Sequence, residues 1–113
     1  MIHVEHLSKK YTHKKEIVPV FSDLNFELPD CGLVSIVGHS GSGKTTLLRI
    51  LSSFDKDYSG NVFLNDRELR TLDDDSLRQQ TFGFLYQEAS LLRNHTAQEN
   101  IELPFRLFGL SYD

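Results

Sequence analysis

Residues 36–51, IVGHSGSGKTTLLRIL, decide the fold of this 113-residue chain. Gly38, Gly43, Lys44 and Thr45 match the spacing G-x-x-x-x-G-K-[ST] of a phosphate-binding loop. Such a loop must turn its backbone N–H groups toward a triphosphate, and Cβ atoms would hinder that approach, so glycine is expected at Gly38, Gly41 and Gly43. The stretch therefore predicts a P-loop fold of the α/β class.

Each remaining position of the loop has a chemical role in this interpretation. Lys44 supplies a positive charge for the β- and γ-phosphates of ATP, and the Thr45 hydroxyl is a hard oxygen suited to Mg²⁺. A helix that begins near Thr46 adds the partial positive charge of its N-terminal amides. The residues predicted to bind the nucleotide through this loop are Gly38, His39, Ser40, Gly41, Ser42, Gly43, Lys44, Thr45 and Thr46.

The flanking sequence has the strand–loop–helix order that the motif requires. Short apolar or alternating runs predict strands, and longer runs with an apolar face predict helices. Strands are predicted at 2–7, 17–21, 24–28, 33–37, 61–64 and 82–86, and helices at 46–51, 73–80 and from 97 onward. Pro19 restricts its strand to a sheet edge, and Pro104 is expected to kink or end the last helix.

Two further segments, residues 8–16 and 96–99, have patterns that indicate local structure. Residues 8–16 predict a polar loop in which Lys9, Lys10, Lys14 and Lys15 are solvated. Thr96 and Glu99 have the spacing of a capping box, which predicts a helix from about Ala97.

Composition narrows the function classes. The net charge of −4 argues against nucleic-acid binding, which usually shows a basic face. A single cysteine, Cys31, excludes an internal disulfide and fits a reducing compartment. No secretion signal and no apolar run of membrane-spanning length are visible, so we expect a cytoplasmic protein that reaches a membrane only through a partner.

Taken together, the motifs resemble the N-terminal half of an ABC-transporter ATP-binding subunit. They are the aromatic in LSKKY, the phosphate loop, YSGNVFLND and FGFLYQEASLLRNHTAQENIELPF. The last segment is most similar to the exporter branch that handles lipoproteins, macrolides and peptides. His39 departs from the family, which often has proline there, and its side chain is expected to point away from the phosphates.

The resemblance implies roles for two residues outside the loop. Tyr11 would stack on the adenine, because stacking needs only a flat π face. Gln87 would reach Mg²⁺ or the attacking water, so that it and Lys44 are the expected catalytic residues and Gln87 and Thr45 the expected Mg²⁺ ligands.

The resemblance also implies an incomplete domain. Residues 1–113 would form an antiparallel β subdomain and an incomplete RecA-like core, without the rest of the helical subdomain, the L-S-G-G-Q signature, the acidic strand and the switch histidine. We expect this chain to bind ATP without turnover and to self-associate. The full-length protein would pair with a second ATP-binding subunit and a transmembrane permease at the inner face of the membrane.

Two alternatives remain open from the sequence. One is a P-loop small-molecule kinase, although such enzymes usually begin close to the phosphate loop, whereas 37 residues precede it here. The other is a non-catalytic module that binds a nucleotide or a partner.

Overall fold

The computed structural model of the chain describes residues 1–88 and 90–109. The chain divides into two units, Met1–Asp74 and Asp75–Asp113. Unit 1 carries a four-stranded antiparallel sheet in the order β2-β1-β3-β4. The strands are β1 (Ile2–His13), β2 (Glu16–Leu28), β3 (Ser59–Leu64) and β4 (Arg67–Glu68).

Both hairpins of this sheet turn through two residues at positive φ. Lys14 and Lys15 (φ 46° and 73°) connect β1 to β2, and Asn65 and Asp66 (φ 48° and 63°) connect β3 to β4. Two-residue hairpins favour such turns because their twist matches that of the flanking strands. Asn and Asp at 65–66 suit this turn because both residue types tolerate the left-handed conformation.

Helix α1 (Lys44–Leu51) follows the phosphate loop, and a single 3₁₀ turn (Leu69–Thr71) follows β4. The fully buried apolar side chains of unit 1 come from the strands, the helix and this turn alike. The largest of them are Val4, Leu7, Ile50, Val62 and Leu69. Apolar burial is the dominant stabilising contribution, so unit 1 has a core that joins all three kinds of element.

Three features of the sheet differ from or refine the prediction. The predicted loop at 8–16 is wrong, because β1 continues to His13 and its backbone pairs with β2 as far as Glu16. The ladder hydrogen bonds outweigh the low strand propensity of the lysines. The strands predicted at 17–21 and 24–28 are one strand, and β2 lies at the sheet edge as Pro19 requires.

The strand predicted at 33–37 is wrong for the part of the chain that the structure describes. These residues form no ladder, and Leu33 and Val37 are 94% and 87% exposed. The apolar pattern records a preference for burial, whereas a strand also needs a neighbouring backbone to bond with. The strand predicted at 82–86 is absent for the same reason, and Leu85 is fully exposed.

Helices α2 (Asp74–Gln80) and α3 (Ala97–Phe108) confirm the two remaining helix predictions. Pro104 lies inside α3, which continues to Phe108, so Pro104 does not end the helix, and the alternative that it kinks the helix stays a prediction. Gly109, with φ 63°, ends α3 in the left-handed conformation that glycine adopts most easily. In the described residues, no helix combines the length and apolarity needed to cross a bilayer.

Candidate functional site

The N-terminus of α1 begins directly from the phosphate loop. Gly43 occupies the N-cap position with φ 95°, and within the described residues no side chain caps the helix. The first intrahelical bond runs from the Leu47 N–H to the Gly43 carbonyl at 2.8 Å. The amides of Lys44, Thr45 and Thr46 precede that bond, so they are donors for an anion at the positive end of the helix.

Gly43 is required for packing as well as for backbone conformation. A Cβ atom there would lie 2.5 Å from Val20 Cγ1 and 3.1 Å from Phe21 Cδ1 of β2. Its φ of 95° is also one that L side chains rarely adopt. The sequence argument assigned this glycine to phosphate approach alone, and the structure adds a close contact with the sheet.

Lys44 folds its side chain back over the loop. Its Nζ donates to the carbonyls of Gly38 and His39 at 2.8 and 2.7 Å, and lies 3.4 Å from Ser42 Oγ. The loop is tightened further by the Ser42 N–H, which donates to the His39 carbonyl at 3.1 Å. The ammonium group is therefore held beside the loop backbone, where phosphate oxygens could replace the two carbonyls as its acceptors.

The other loop residues lie where the motif predicts. Ser40 and Gly41 are exposed at the tip, with Gly41 at φ 78°. Thr45 is exposed on the first turn of α1, and Thr46 is half-buried beside it. The exposed Thr45 hydroxyl fits the hard-oxygen chemistry that Mg²⁺ prefers.

Tyr11 lies near the start of α1 although 35 residues separate it from Thr46. Its hydroxyl is 3.4 Å from Thr46 Oγ1, and the side chain is 44% exposed. The fold thus places a partly exposed aromatic ring next to the phosphate loop, as a base-stacking role requires.

Lys9 is the residue that the sequence argument missed. It was predicted to be solvated, but it is 4% exposed and its Nζ lies 3.0 Å from Asp55 Oδ2. The signal available in the sequence was the alternation of Leu7, Lys9 and Tyr11, which assigns them to one face of an extended β1. The acidic residues of the 55–57 turn then supply the partners that a buried ammonium needs.

Gln87 belongs to the other unit, Asp75–Asp113, where its side chain is exposed. Its proposed pairing with Thr45 around Mg²⁺ stays a prediction. Within the described residues, no three His, Cys, Asp or Glu side chains are arranged to hold a metal ion.

A model of the ABC transporter family matches residues 21–112. The chain belongs to the ABC transporter family. Membership of this family implies nucleotide binding and disfavours the small-molecule kinase, and the solved cassettes described below confirm the predicted fold class.

Two curated relatives of this ABC domain come from the exporter branch. The macrolide export ATP-binding/permease protein MacB of Vibrio parahaemolyticus is 38% identical over 115 residues, which cover 99% of this chain and 18% of MacB. The lipoprotein-releasing system ATP-binding protein LolD of Idiomarina loihiensis is 39% identical over 114 residues, which cover 98% of this chain and 50% of LolD. The chain thus spans half or less of the length of these relatives.

The ABC domain is also similar to solved structures of the cassette MJ0796 of Methanocaldococcus jannaschii. A dimeric structure has a TM-score of 0.85 and 34% identity, covering all of this chain and 50% of the cassette. A second, a post-hydrolysis state bound to ADP and Pi, has a TM-score of 0.82 and 35% identity over 95% of this chain and 47% of the cassette.

Proposed function

We propose that this chain is the ATP-binding part of the energy-coupling ATPase subunit of an ABC membrane exporter. The observation that carries the proposal is the uncapped start of α1, with the Lys44 ammonium within 2.8 Å of two loop carbonyls. Backbone amides and a lysine side chain that meet at one loop can bind the phosphates of a nucleoside triphosphate. The export functions named for MacB and LolD support the exporter assignment.

Different residues of the chain would bind the phosphates, the base and the Mg²⁺ ion of the nucleotide. The amides at the start of α1 would donate to phosphate oxygens, and Lys44 would exchange its loop carbonyls for the β- and γ-phosphates. The Tyr11 ring would stack on the adenine. Thr45 and Gln87 would contribute oxygens to a Mg²⁺ ion, which when bound neutralises charge on the phosphates.

The partners follow from the relatives. A second ATP-binding subunit is supported by the dimeric MJ0796 cassette, and a transmembrane permease by the combined ATP-binding/permease description of MacB. We therefore place the full-length protein in the cytoplasm, peripheral to the inner face of the membrane through its permease. Nucleic acid is not among the proposed partners, given the net charge of −4.

The test is titration of the chain with Mg-ATP in the Lys44→Ala variant. Loss of a charge-assisted hydrogen-bonding group is worth roughly 1.5–3 kcal/mol, so affinity should fall at least about tenfold. Arg49→Ala is the matched control, because Arg49 is an exposed cation in the last turn of the same helix. Equal affinities of the wild-type and Lys44→Ala chains would refute the phosphate-loop assignment.

Phosphate release measured on the same two chains separates binding from turnover. We expect no release above background from the 113-residue chain, since neither an L-S-G-G-Q signature nor an Asp-Glu strand follows Gln87 in the sequence. Release that Lys44→Ala abolishes would contradict this part of the proposal and would indicate a catalytic acid among the residues assigned structural roles.

A further inference from the structure

Lys9 is an unusual residue to find in the interior of unit 1. Lysine is almost never fully buried unless it is paired, yet Lys9 is only 4% exposed. Its neighbour in sequence, Lys10, is exposed, in keeping with the alternation of a strand. The burial of Lys9 is therefore a specific property of this position.

Three oxygen groups hold the Lys9 ammonium in place. Nζ lies 3.0 Å from Asp55 Oδ2 and 3.3 Å from Asp57 Oδ2, and it donates to the Asp57 carbonyl at 2.5 Å. Burial lowers the pKa of Lys9, but the hydrogen bonds and charges of Asp55 and Asp57 outweigh burial and raise it above the ordinary value. Lys9 is thus a charged group of fixed position at neutral pH.

This fixed charge lies against the Tyr11 ring. Nζ is 4.8 Å from the ring centroid, within the range of a cation–π interaction. The hydroxyl of the same ring is 3.4 Å from Thr46 Oγ1. Tyr11 is therefore restrained at one face by Lys9 and at its tip by the first turn of α1.

We propose that Lys9 is a positioning residue that holds the Tyr11 ring in the plane in which it stacks on the base of a bound nucleotide. This inference rests on the proposed function, in which Tyr11 stacks on the adenine of ATP. A ring restrained in its binding orientation loses less conformational freedom when the ligand arrives, so affinity for the base is higher. Lys9 acts only through Tyr11 and contributes nothing to the phosphates.

The experiment compares Mg-ATP with Mg-tripolyphosphate, which has the phosphates but no base. Lys9→Met removes the charge and keeps much of the apolar stem, and Lys10→Met is the matched control on the exposed face. We expect Lys9→Met to weaken ATP binding about three- to tenfold and to leave tripolyphosphate binding unchanged. Lys9→Arg keeps a cation near the ring and should recover most of the ATP affinity.

The results distinguish failure of the positioning role of Lys9 from failure of the proposed function. Equal weakening of both ligands, or no change in either, would overturn the positioning role and leave Lys9 as a structural link between β1 and the 55–57 turn. If the wild-type chain binds neither ligand, the proposed function itself fails. In a Tyr11→Ala background, Lys9→Met should have no further effect on ATP affinity, and an undiminished effect there would also overturn the proposal.

A second measurement does not depend on the folding of any Lys9 variant. In the wild-type chain, the Tyr11 ring current should move the NMR signals of the Lys9 ε-methylene protons upfield. Mg-ATP should shift these signals and Mg-tripolyphosphate should not, because only ATP brings a base to the ring. Signals that respond equally to both ligands, or to neither when ATP binds, would refute the inference.

Discussion

Helices α1 and α3 have similar amphipathic sequences but begin in opposite ways. At α3, Thr96 Oγ1 accepts a hydrogen bond from the Glu99 N–H at 3.2 Å, and Glu99 Oε2 accepts one from the Thr96 N–H at 2.7 Å. At α1, the N-cap is Gly43, and no side chain of the described residues takes up the first-turn amides. The capping box of α3 thus satisfies the first-turn Glu99 N–H with a side chain, whereas no side chain of the described residues does so for a first-turn amide of α1.

The loops that precede the two helices also differ in their hydrogen bonds. Ahead of α3, Asn100 braces the preceding loop by accepting from the Leu92 N–H at 2.8 Å and donating to the Thr96 carbonyl at 2.9 Å. Ahead of α1, the bonds that close the loop among the described residues come from the Lys44 side chain and from the Ser42 N–H. A side-chain cap stabilises a helix start, whereas first-turn amides without a side-chain acceptor are suited to bind an anionic ligand.

The largest expected effect follows from replacing the glycine at the start of α1. Gly43→Ala should lower the free energy of unfolding by about 2–4 kcal/mol, since the left-handed backbone and the contact with Val20 both oppose a Cβ atom. Gly109→Ala is the matched control. Gly109 is also left-handed, but no atom of the described residues lies within 4 Å of the added Cβ, so its cost should be only about 1–2 kcal/mol. Urea unfolding followed by circular dichroism measures both, and equal losses would remove the packing argument at Gly43.

An intermediate effect is expected at the start of α3. Thr96→Ala deletes the side-chain acceptor of the capping box and should cost about 1 kcal/mol, with faster hydrogen exchange at the Glu99 amide. Ser42→Ala is the control at the other N-terminus, where the hydroxyl makes only a 3.4 Å contact with Lys44 and its loss should change stability by less than about 0.5 kcal/mol. If the two substitutions proved equally costly, the contrast between a capped and an uncapped helix would not hold.

The smallest effect is a dependence on pH at the start of α3. The backbone N–H of Thr96 lowers the pKa of Glu99 below its ordinary value of 4.5. A carboxylate whose pKa is depressed by folding contributes stability that is present above its unfolded pKa and is lost as the pH falls through its folded pKa. We therefore expect α3 to lose protection from hydrogen exchange below about pH 4.5. Glu99→Gln should abolish that part of the pH dependence, and an unaltered pH profile in this variant would assign the effect to another group.

Local sequence patterns predicted both helix starts correctly. The capping box depends on residues three positions apart, and the phosphate loop on residues 38–45, so each can be recognised without knowledge of the fold. The hairpin turn at Asn65 and Asp66 is local in the same way. The roles of Tyr11, Gln87 and Thr45 toward a nucleotide stay predictions, although the structure does bring Tyr11 to α1.

Long-range pairing is what the local patterns missed. The alternation of Leu7, Lys9 and Tyr11 places Lys9 on a strand face, but its partner Asp55 is 46 residues away and cannot be identified from the neighbouring residues. The strands predicted at 33–37 and 82–86 had the right apolar composition, but a ladder depends on a neighbouring backbone that composition does not specify. The polar composition of residues 8–13 predicted a loop. These residues extend β1 because the backbone of β2 pairs with them.

The sequence by itself therefore determined the phosphate-loop motif, the two helix starts and the edge position of β2, which depend on the conformational preferences of a few adjacent residues, and the resemblance of its motifs indicated the family. Only the tertiary structure decided that Lys9 is buried, that Tyr11 lies beside Thr46, and that Gly43 must lack a Cβ because of Val20. Each of these depends on atoms that are distant in sequence, and the free energy of a contact is set by which groups the whole fold brings together.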